Sequence, residues 1–380
     1  MPGLQRITLE DYQISPQFGF LPQQPPLKQL QDPYYEIWEE MMSRLPLQSG
    51  DARIREDITN MPVLATARLV TEPEWRRAYV VLTFLSQIYI WGDHQPCNKL
   101  PRSLAVPLLD VSQHLQISPC ATFAGFCLWN ISPVSHEDHR PYDLENLKSI
   151  NSFTGTKDEE WFFGVSAAIE SIGGCMIVPM LHAMEAARDR RSVAVTDFLE
   201  NLATCLEQIG STLDRLYDQC SPSVFYHHFR RFLKGSPTVQ ESGLSQGVFY
   251  EGEDGTGEWH QYPGGSNAQS SLIQLFDIVL GIDQSAAMGG NPKGSFHKEM
   301  QRYMPGPHRE FLELMARICN IRSFVLGHDP SSNIRHSYDR AITNLAIIRQ
   351  KHLIMASREA AGDVAVKRAG QLGSTPYVEN

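Results

Sequence analysis

Long basic runs are missing from this chain. Its 33 Lys and Arg are outnumbered by 43 Asp and Glu, for a formal net charge of -10, which argues against a nucleic-acid binder. Cysteine never occurs as a CxxC pair. The seven that are present (Cys97, Cys120, Cys127, Cys175, Cys205, Cys220, Cys319) are scattered and odd in number. They read as free thiols in a reducing compartment, not as a disulfide frame or a zinc site. The greasiest run, Ala78 to Trp91, is interrupted by Thr83, Ser86 and Gln87 and is shorter than the roughly 20 residues a bilayer span needs. MPGLQRITLEDYQ at the start has no signal-peptide shape. The expectation is a soluble, cytoplasmic protein without a membrane partner, in which the sequon at Asn130 is accidental. The common enzyme signatures are missing too: no GxGxxG after a strand, no GKS/T phosphate loop, no HExxH, and no GxSxG elbow, since Gly164-Val165-Ser166-Ala167 lacks the last glycine.

What is present is helix. A hydrophobic content of 42% over 380 residues suffices for a large core or two domains. Helical periodicity is read over Tyr34–Leu45, Trp75–Trp91, Leu104–Leu115, Cys120–Asn130, Trp161–Ala187, Thr196–Tyr217, Ser223–Leu233, Gln269–Ile282, Phe311–Val325 and Arg335–Ala356. Gly173-Gly174 suggests close packing and Pro179 a kink. No segment alternates convincingly as a strand. Lys234 to Ser266 reads as a long Gly-rich loop, and the tail from Gly362 as polar loop. The fold class predicted is all-α: a small helical domain over residues 1–158 packed on a larger helical domain over 159–380.

Arg335–Ala356 carries the residue that matters most. Tyr338, Ala341, Ile342, Leu345, Ile348, His352 and Met355 recur at steps of three and four, the spacing of one buried stripe. His352 therefore projects an imidazole into an apolar space, with Arg349 one turn earlier near the same face. That pair suits a haem: a nitrogen for the iron and a guanidinium for a propionate. On its own, a histidine on an apolar helix face is more often a core residue bonded to a carbonyl. Tyr226 and Arg230, four apart, offer an aromatic wall and a carboxylate clamp. Ser166 lies four past Phe162 on an apolar helix, where it bonds either a ligand or its own i-4 carbonyl. Gly264-Gly265-Ser266 leads into a polar helix start with capping residues. His136 and His139, three apart in a proline-bounded loop, lack further ligands and read as surface.

Longer stretches add a resemblance. DYQISPQFGFLP, YIWGDH, LPRSLAVP, FFGVSAAIES, the Phe-Tyr-x-x-x-Arg segment at Phe225, GGSNAQSSLIQLFDIVLGI, HKEMQRYMPGPHREFL and IIRQKHL occur in order over nearly the whole chain. Together they resemble the indoleamine 2,3-dioxygenase family, its fungal branch in particular. The resemblance implies a haem b (Fe) enzyme that opens the indole 2,3-bond of L-tryptophan with O2 to give N-formyl-L-kynurenine, the first step of the kynurenine pathway towards NAD. It implies an external electron donor that keeps the haem ferrous. His352 matches the proximal iron ligand and Arg349 the propionate partner. Phe225, Tyr226 and Arg230 match the positions that hold the indole and its carboxylate, with Arg230 and Ser166 as the catalytic pair. Phe162 and Phe123 match pocket aromatics, Gly265 and Ser266 the loop over the haem, and Asp277 the helix behind it. The family's mobile GTGGT loop is matched here by Gly373 and Thr375 alone, which makes Thr375 the equivalent substrate-binding threonine. This weakened motif leaves two other readings: a haem oxygenase acting on a different indole, or a haem-binding sensor without turnover.

Overall fold

The computed structural model describes residues 7–48, 53–135, 141–235, 244–282 and 296–372. It is 63% helix and 6% strand, the all-α class expected. Local chemistry sets where the helices start. Ahead of helix Glu72–Trp91, the Glu74 carboxylate accepts from the Val70 and Thr71 amides at 2.9 and 2.8 Å, and Pro73 sits in the first turn. Helix Lys157–Gly174 is capped by Thr156, whose hydroxyl accepts from the Glu159 amide. Glu159 is fully buried, and its carboxylate accepts from the Phe153 and Thr154 amides and the Ser152 and Thr154 hydroxyls. The loop entering that helix is thereby fixed by one side chain.

The apolar stretch expected as one kinked helix over Trp161–Ala187 is two helices, Lys157–Gly174 and Ile177–Arg188. The break falls at the glycines, not at Pro179. A Cβ on Gly174 would lie 2.5 Å from the Phe18 carbonyl carbon and 2.7 Å from the Gly19 nitrogen, so backbone packs directly on backbone there. Pro179 then sits in the first turn of the second helix, where its missing N–H costs nothing. By length and composition the run Lys157–Arg188 passes for a membrane span, yet 61% of its most apolar window is buried inside the protein.

Helices Ser192–Asp214 and Asn333–Leu372 form the longest pairing in the molecule. Their polar seam steps by seven on both sides. Ser337 donates to Glu200, Asn344 to Glu207 and the Ala203 carbonyl, and Lys351 to Asp214 and the Gly210 carbonyl. Both numberings rise together, so the helices run parallel and in register, with the 3.5-residue period of a left-handed supercoil. Tyr338, Ala341, Leu345 and Ile348 are buried along this stretch. A single continuous buried cluster extends from Leu9 to Met355.

Several sequence readings are corrected. The Gly-rich loop contains a hairpin, Val248–Glu251 with Gly257–His260, extended by a parallel strand at Lys99–Leu100; Ile131–Pro133 pairs with Leu147–Ser149. Strands of two to four residues are too short to show alternation. The last helix continues to Leu372, past the expected loop start at Gly362. Ala360, Ala361, Ala365 and Ala369 favour helix without any amphipathic stripe. Phe311–Val325 is two helices, Gly306–Ile318 and Ile321–Leu326. Cys120–Asn130 contains only a π turn, Ala124–Leu128.

Two glycine substitutions test this packing in opposite directions. Gly174→Ala should destabilise by about 1–3 kcal/mol, since backbone atoms oppose the new methyl. Gly210→Ala, whose Cβ would meet Ile348 and Lys351 at 3.6 and 3.7 Å, should stabilise by about 0.5–1 kcal/mol through helix propensity. Urea denaturation reads both; a neutral Gly174→Ala would sink the close-approach argument.

Candidate active site

A cavity of about 630 Å³ lies where the seam of the two long helices ends, within the roughly 300–1,000 Å³ of small-molecule sites. Lys351 pairs with Asp214, the last residue of helix Ser192–Asp214. His352 comes one residue further on, past the last rung of that seam. Leu345, Ile348, His352 and Met355, the stripe read from the sequence, all line the cavity. Helix Lys157–Gly174 contributes Phe162, Val165, Ser166, Ile169 and Glu170. That stripe is core-like in sequence and cavity-facing in structure.

Two π turns build the remaining aromatic wall. In Ala124–Leu128 the Trp129 amide donates to the Ala124 carbonyl at 3.0 Å, and Phe123, Phe126 and Cys127 reach the cavity. In Phe225–Phe229 the Arg230 amide donates to the Phe225 carbonyl. An i to i+5 turn holds one more residue than an α turn. It therefore stacks Phe225 with Arg230, and both line the cavity. Tyr226, expected to share Arg230's face, is not among the lining residues. Its ring lies beside the Arg230 guanidinium, 5.0 Å from centroid to Cζ, a cation–π platform. No protein carboxylate or carbonyl pairs with Arg230 among the described residues, so its donors are available to a ligand.

The loop from Pro263 to Ser270 crosses the cavity. Gly264 has φ +78° and its Cβ would strike the backbone of Leu233 to Gly235, so only glycine fits. Gly265 packs against the Phe126 ring. Ser266 caps Asn267–Gln269, accepting from the Ala268 amide at 3.2 Å. Buried Gln269, missed by the sequence reading, accepts from the Phe123 amide at 2.9 Å and donates to the Gly264 carbonyl at 2.6 Å. It ties loop to aromatic wall. Nothing in local sequence marks that role, because its partners lie across the fold.

The structure brings Phe123, Phe162, Ser166, Phe225, Arg230, Gly265, Ser266, Arg349 and His352 around one chamber. Thr375 and Gly373, like His136 and His139, lie outside the described residues. The Ser166 hydroxyl donates to the Phe162 carbonyl at 3.3 Å, the i-4 alternative, from a position on the cavity wall. His352 opens onto the cavity with Nε2 3.5 Å from the Asn267 amide nitrogen, and desolvation lowers its pKa. Arg349 is ion-paired to Asp277, which fixes the guanidinium on the cavity wall. Burial raises the Asp277 pKa to about 6 even with Arg349 pulling it down. Burial likewise raises the Glu170 carboxyl to about 7, against the opposing hydrogen bond from Ser270.

Among the described residues no three of His, Cys, Asp and Glu converge on a metal site. A metal held by His352 must bring its own equatorial ligands, as haem does. One imidazole facing an apolar slot, with an anchored arginine at its edge, fits that group.

Ionised Asp277 is less favourable folded than unfolded, so its contribution is full at low pH and declines as pH rises from about 4 through about 6. Removing Arg349 raises that carboxyl further, by about 1.4 kcal/mol per unit. Arg349→Ala should therefore destabilise the haem-free chain more at pH 8 than at pH 5. Urea titrations at both values check it, and an equal loss at both would show that the pair carries no such weight.

A sequence profile of indoleamine 2,3-dioxygenase matches residues 8–360. The chain is 53% identical to an indoleamine 2,3-dioxygenase of Aspergillus candidus over 93% of its own length and 88% of the relative's. It is 40% identical to a 6-hydroxytryptophan 2,3-dioxygenase of Fusarium equiseti, over 92% and 84%. It is 38% identical to the indoleamine 2,3-dioxygenase of Saccharomyces cerevisiae, over 92% and 80%. The chain thus belongs to the indoleamine 2,3-dioxygenase family of haem-dependent oxidoreductases.

Proposed function

We propose that this chain opens the indole 2,3-bond of L-tryptophan with O2 to give N-formyl-L-kynurenine, in the cytoplasm, on the route towards NAD. The observation that carries the reading is the single chamber on which His352, Arg349, Arg230, Ser166, Phe162 and Phe225 converge. Residues 1–158 serve as the distal cover through Phe123, Phe126 and Cys127, and residues 159–380 as the haem-binding unit. His352 holds the iron of haem b and Arg349 a propionate, with an external donor keeping the iron ferrous. When bound, the haem supplies the oxygen chemistry.

The chain's own side chains then position and dry the substrate. Arg230, steadied by Tyr226, takes the substrate carboxylate in a bidentate grip. Phe162 and Phe225, whose ring centroids are 5.1 Å apart, form one wall against the indole, with Phe123 as a further wall. Ser166 supplies a hydroxyl on a largely apolar wall, and Gly265 and Ser266 cover the open side. Thr375, outside the described residues, is assigned to substrate binding by the resemblance alone. Holding both reactants in near-attack geometry removes entropy from the barrier, and excluding water protects the reactive state.

A second reading keeps the haem and changes the indole. Cys127, Ser166 and Glu170 bring polar groups to one side of the chamber, where a ring hydroxyl would find partners. The relative named as a 6-hydroxytryptophan 2,3-dioxygenase fits the same reading.

Aerobic incubation of the reduced holoprotein with L-tryptophan and with 6-hydroxytryptophan, followed by product mass, separates them. Addition of two oxygen atoms to L-tryptophan is expected; turnover of the hydroxylated substrate alone would favour the second reading, and no product from either would sink both. Arg230→Ala should cost about 1.5–3 kcal/mol of L-tryptophan affinity, leaving tryptamine, which has no carboxylate, unaffected.

A further inference from the structure

A second cavity, of about 670 Å³, lies between residues 10–27 and the start of helix Glu72–Trp91. Its apolar lining is rich in proline: Pro16, Pro22, Pro25, Pro26 and Pro73, with Leu27. Two side chains bring unpaired donors to it. Trp129 follows the π turn Ala124–Leu128, its amide donating to the Ala124 carbonyl. Its indole is packed edge-on by Tyr79 at 5.6 Å and covered by the Arg76 guanidinium at 5.5 Å. Trp129 is 3% exposed and lines the cavity. The Nε1 of Trp38 is sealed in the core; that of Trp129 is not, and it has no acceptor among the described residues. Arg76 is the second. Its Nη2 donates to Gln13 Oε1 at 2.6 Å, and its Nε is sealed. Its Nη1 is not sealed and has no acceptor among the described residues. The Glu72 carboxylate stands 3.9 Å from Nε, beyond hydrogen-bond reach, and its Oε1 is engaged to His114 at 2.9 Å. Neighbouring Arg77 is spent, because both Glu39 oxygens and Asn151 take its donors.

We propose that this cavity is a second ligand site, which binds a small aromatic monocarboxylate. Arg76 Nη1 takes the carboxylate, the Trp129 indole N–H is the second donor, and the ligand ring lies on the prolines. A nearly buried N–H without an acceptor calls for one, and beside a guanidinium the acceptor that gains most is an anion. Glu10 and Glu72 also line the cavity. They select against a polyanion, since with Arg77 spent a second negative charge would meet them without a cation. A single carboxylate is matched by Arg76. The proline rings offer flat apolar faces of the kind that aromatic groups pack on in proline-rich recognition. The site stands apart from the haem and indole reading, because neither Arg76 nor Trp129 lines the chamber.

Calorimetric titration of the full chain with 2-naphthoate, and with 2-naphthamide as its uncharged counterpart, tests the site. Trp129→Phe keeps an aromatic ring and removes the N–H, Arg76→Gln removes the cation, and Arg230→Ala removes the carboxylate clamp of the chamber. A thermal melt of each variant confirms that it folds. 2-Naphthoate should bind native and Arg230→Ala protein within twofold of one another. Arg76→Gln should weaken it about tenfold and Trp129→Phe about threefold, and 2-naphthamide should bind the native chain about tenfold more weakly than the acid. Should Arg76→Gln fail to fold, Trp129→Phe and the acid-to-amide ratio decide. Binding that is lost in Arg230→Ala places the ligand in the chamber and overturns the inference. So does binding that Trp129→Phe and folded Arg76→Gln leave unchanged, equal binding of acid and amide, or no saturable binding at all.

Discussion

The position of the site follows from two parallel helices of unequal length. Helix Ser192–Asp214 and the first half of Asn333–Leu372 are locked by polar contacts that step by seven residues on each side, the last of them Lys351 to Asp214. Such a register leaves no freedom to slide, because a shift of one residue would carry Leu345 and Ile348 out of the seam. The shorter helix ends at Asp214, and the longer one carries its stripe on past that end. Leu345, Ile348, His352 and Met355 of that stripe line the cavity, with His352 the first of them beyond the last rung of the polar seam. Arg349, off the stripe, emerges beside helix Ser271–Leu280 and meets Asp277. The placement of His352 and of the anchored Arg349 thus follows from helix length and register.

That stripe was legible in the sequence because it obeys the 3.6-residue period through Tyr338, Ala341, Leu345 and Ile348. The walls facing it were less so. Tyr226 and Arg230 were expected to share a face on the assumption of an α turn. The π turn at Phe225–Phe229 gives the cavity to Phe225 instead and turns Tyr226 into the platform under Arg230. No pattern of residue types announces a π turn. Its cause here is tertiary, with Phe225 and Phe229 both buried and Phe162 packed against the two rings at 5.1 and 5.4 Å. Gln269 and Glu170 escaped for a related reason: each gains its role from partners more than ninety residues away. What local periodicity could not assign, the resemblance supplied residue by residue. It named neither the π turns nor the buried carboxyl.

Burial by the chamber's apolar walls raises the two carboxyls beside it. Phe123, Phe126, Phe162, Phe163 and Phe225 exclude water, so each ionisable group must be paired or neutral. Asp277 is paired with Arg349 and still pushed up to about 6; Glu170, with one hydroxyl for company, goes to about 7. The Arg230 guanidinium lies over the Tyr226 ring. An apolar pocket containing a cation ready for a carboxylate differs from a plain hydrophobic hole. Its affinity is spent on ligands that carry both a flat ring and an acid.

Helix Ser271–Leu280 joins these parts. Ser270 caps it by accepting from the Ile273 amide at 3.3 Å while donating to Glu170. Two turns on, Asp277 holds Arg349. Immediately before the cap, Gln269 is bonded to Phe123 and Gly264. One short helix therefore touches the distal helix, the aromatic turn, the covering loop and the cationic rim. Because Ser270 spends its only proton on Glu170, the cap geometry and the protonation of that carboxyl are set together.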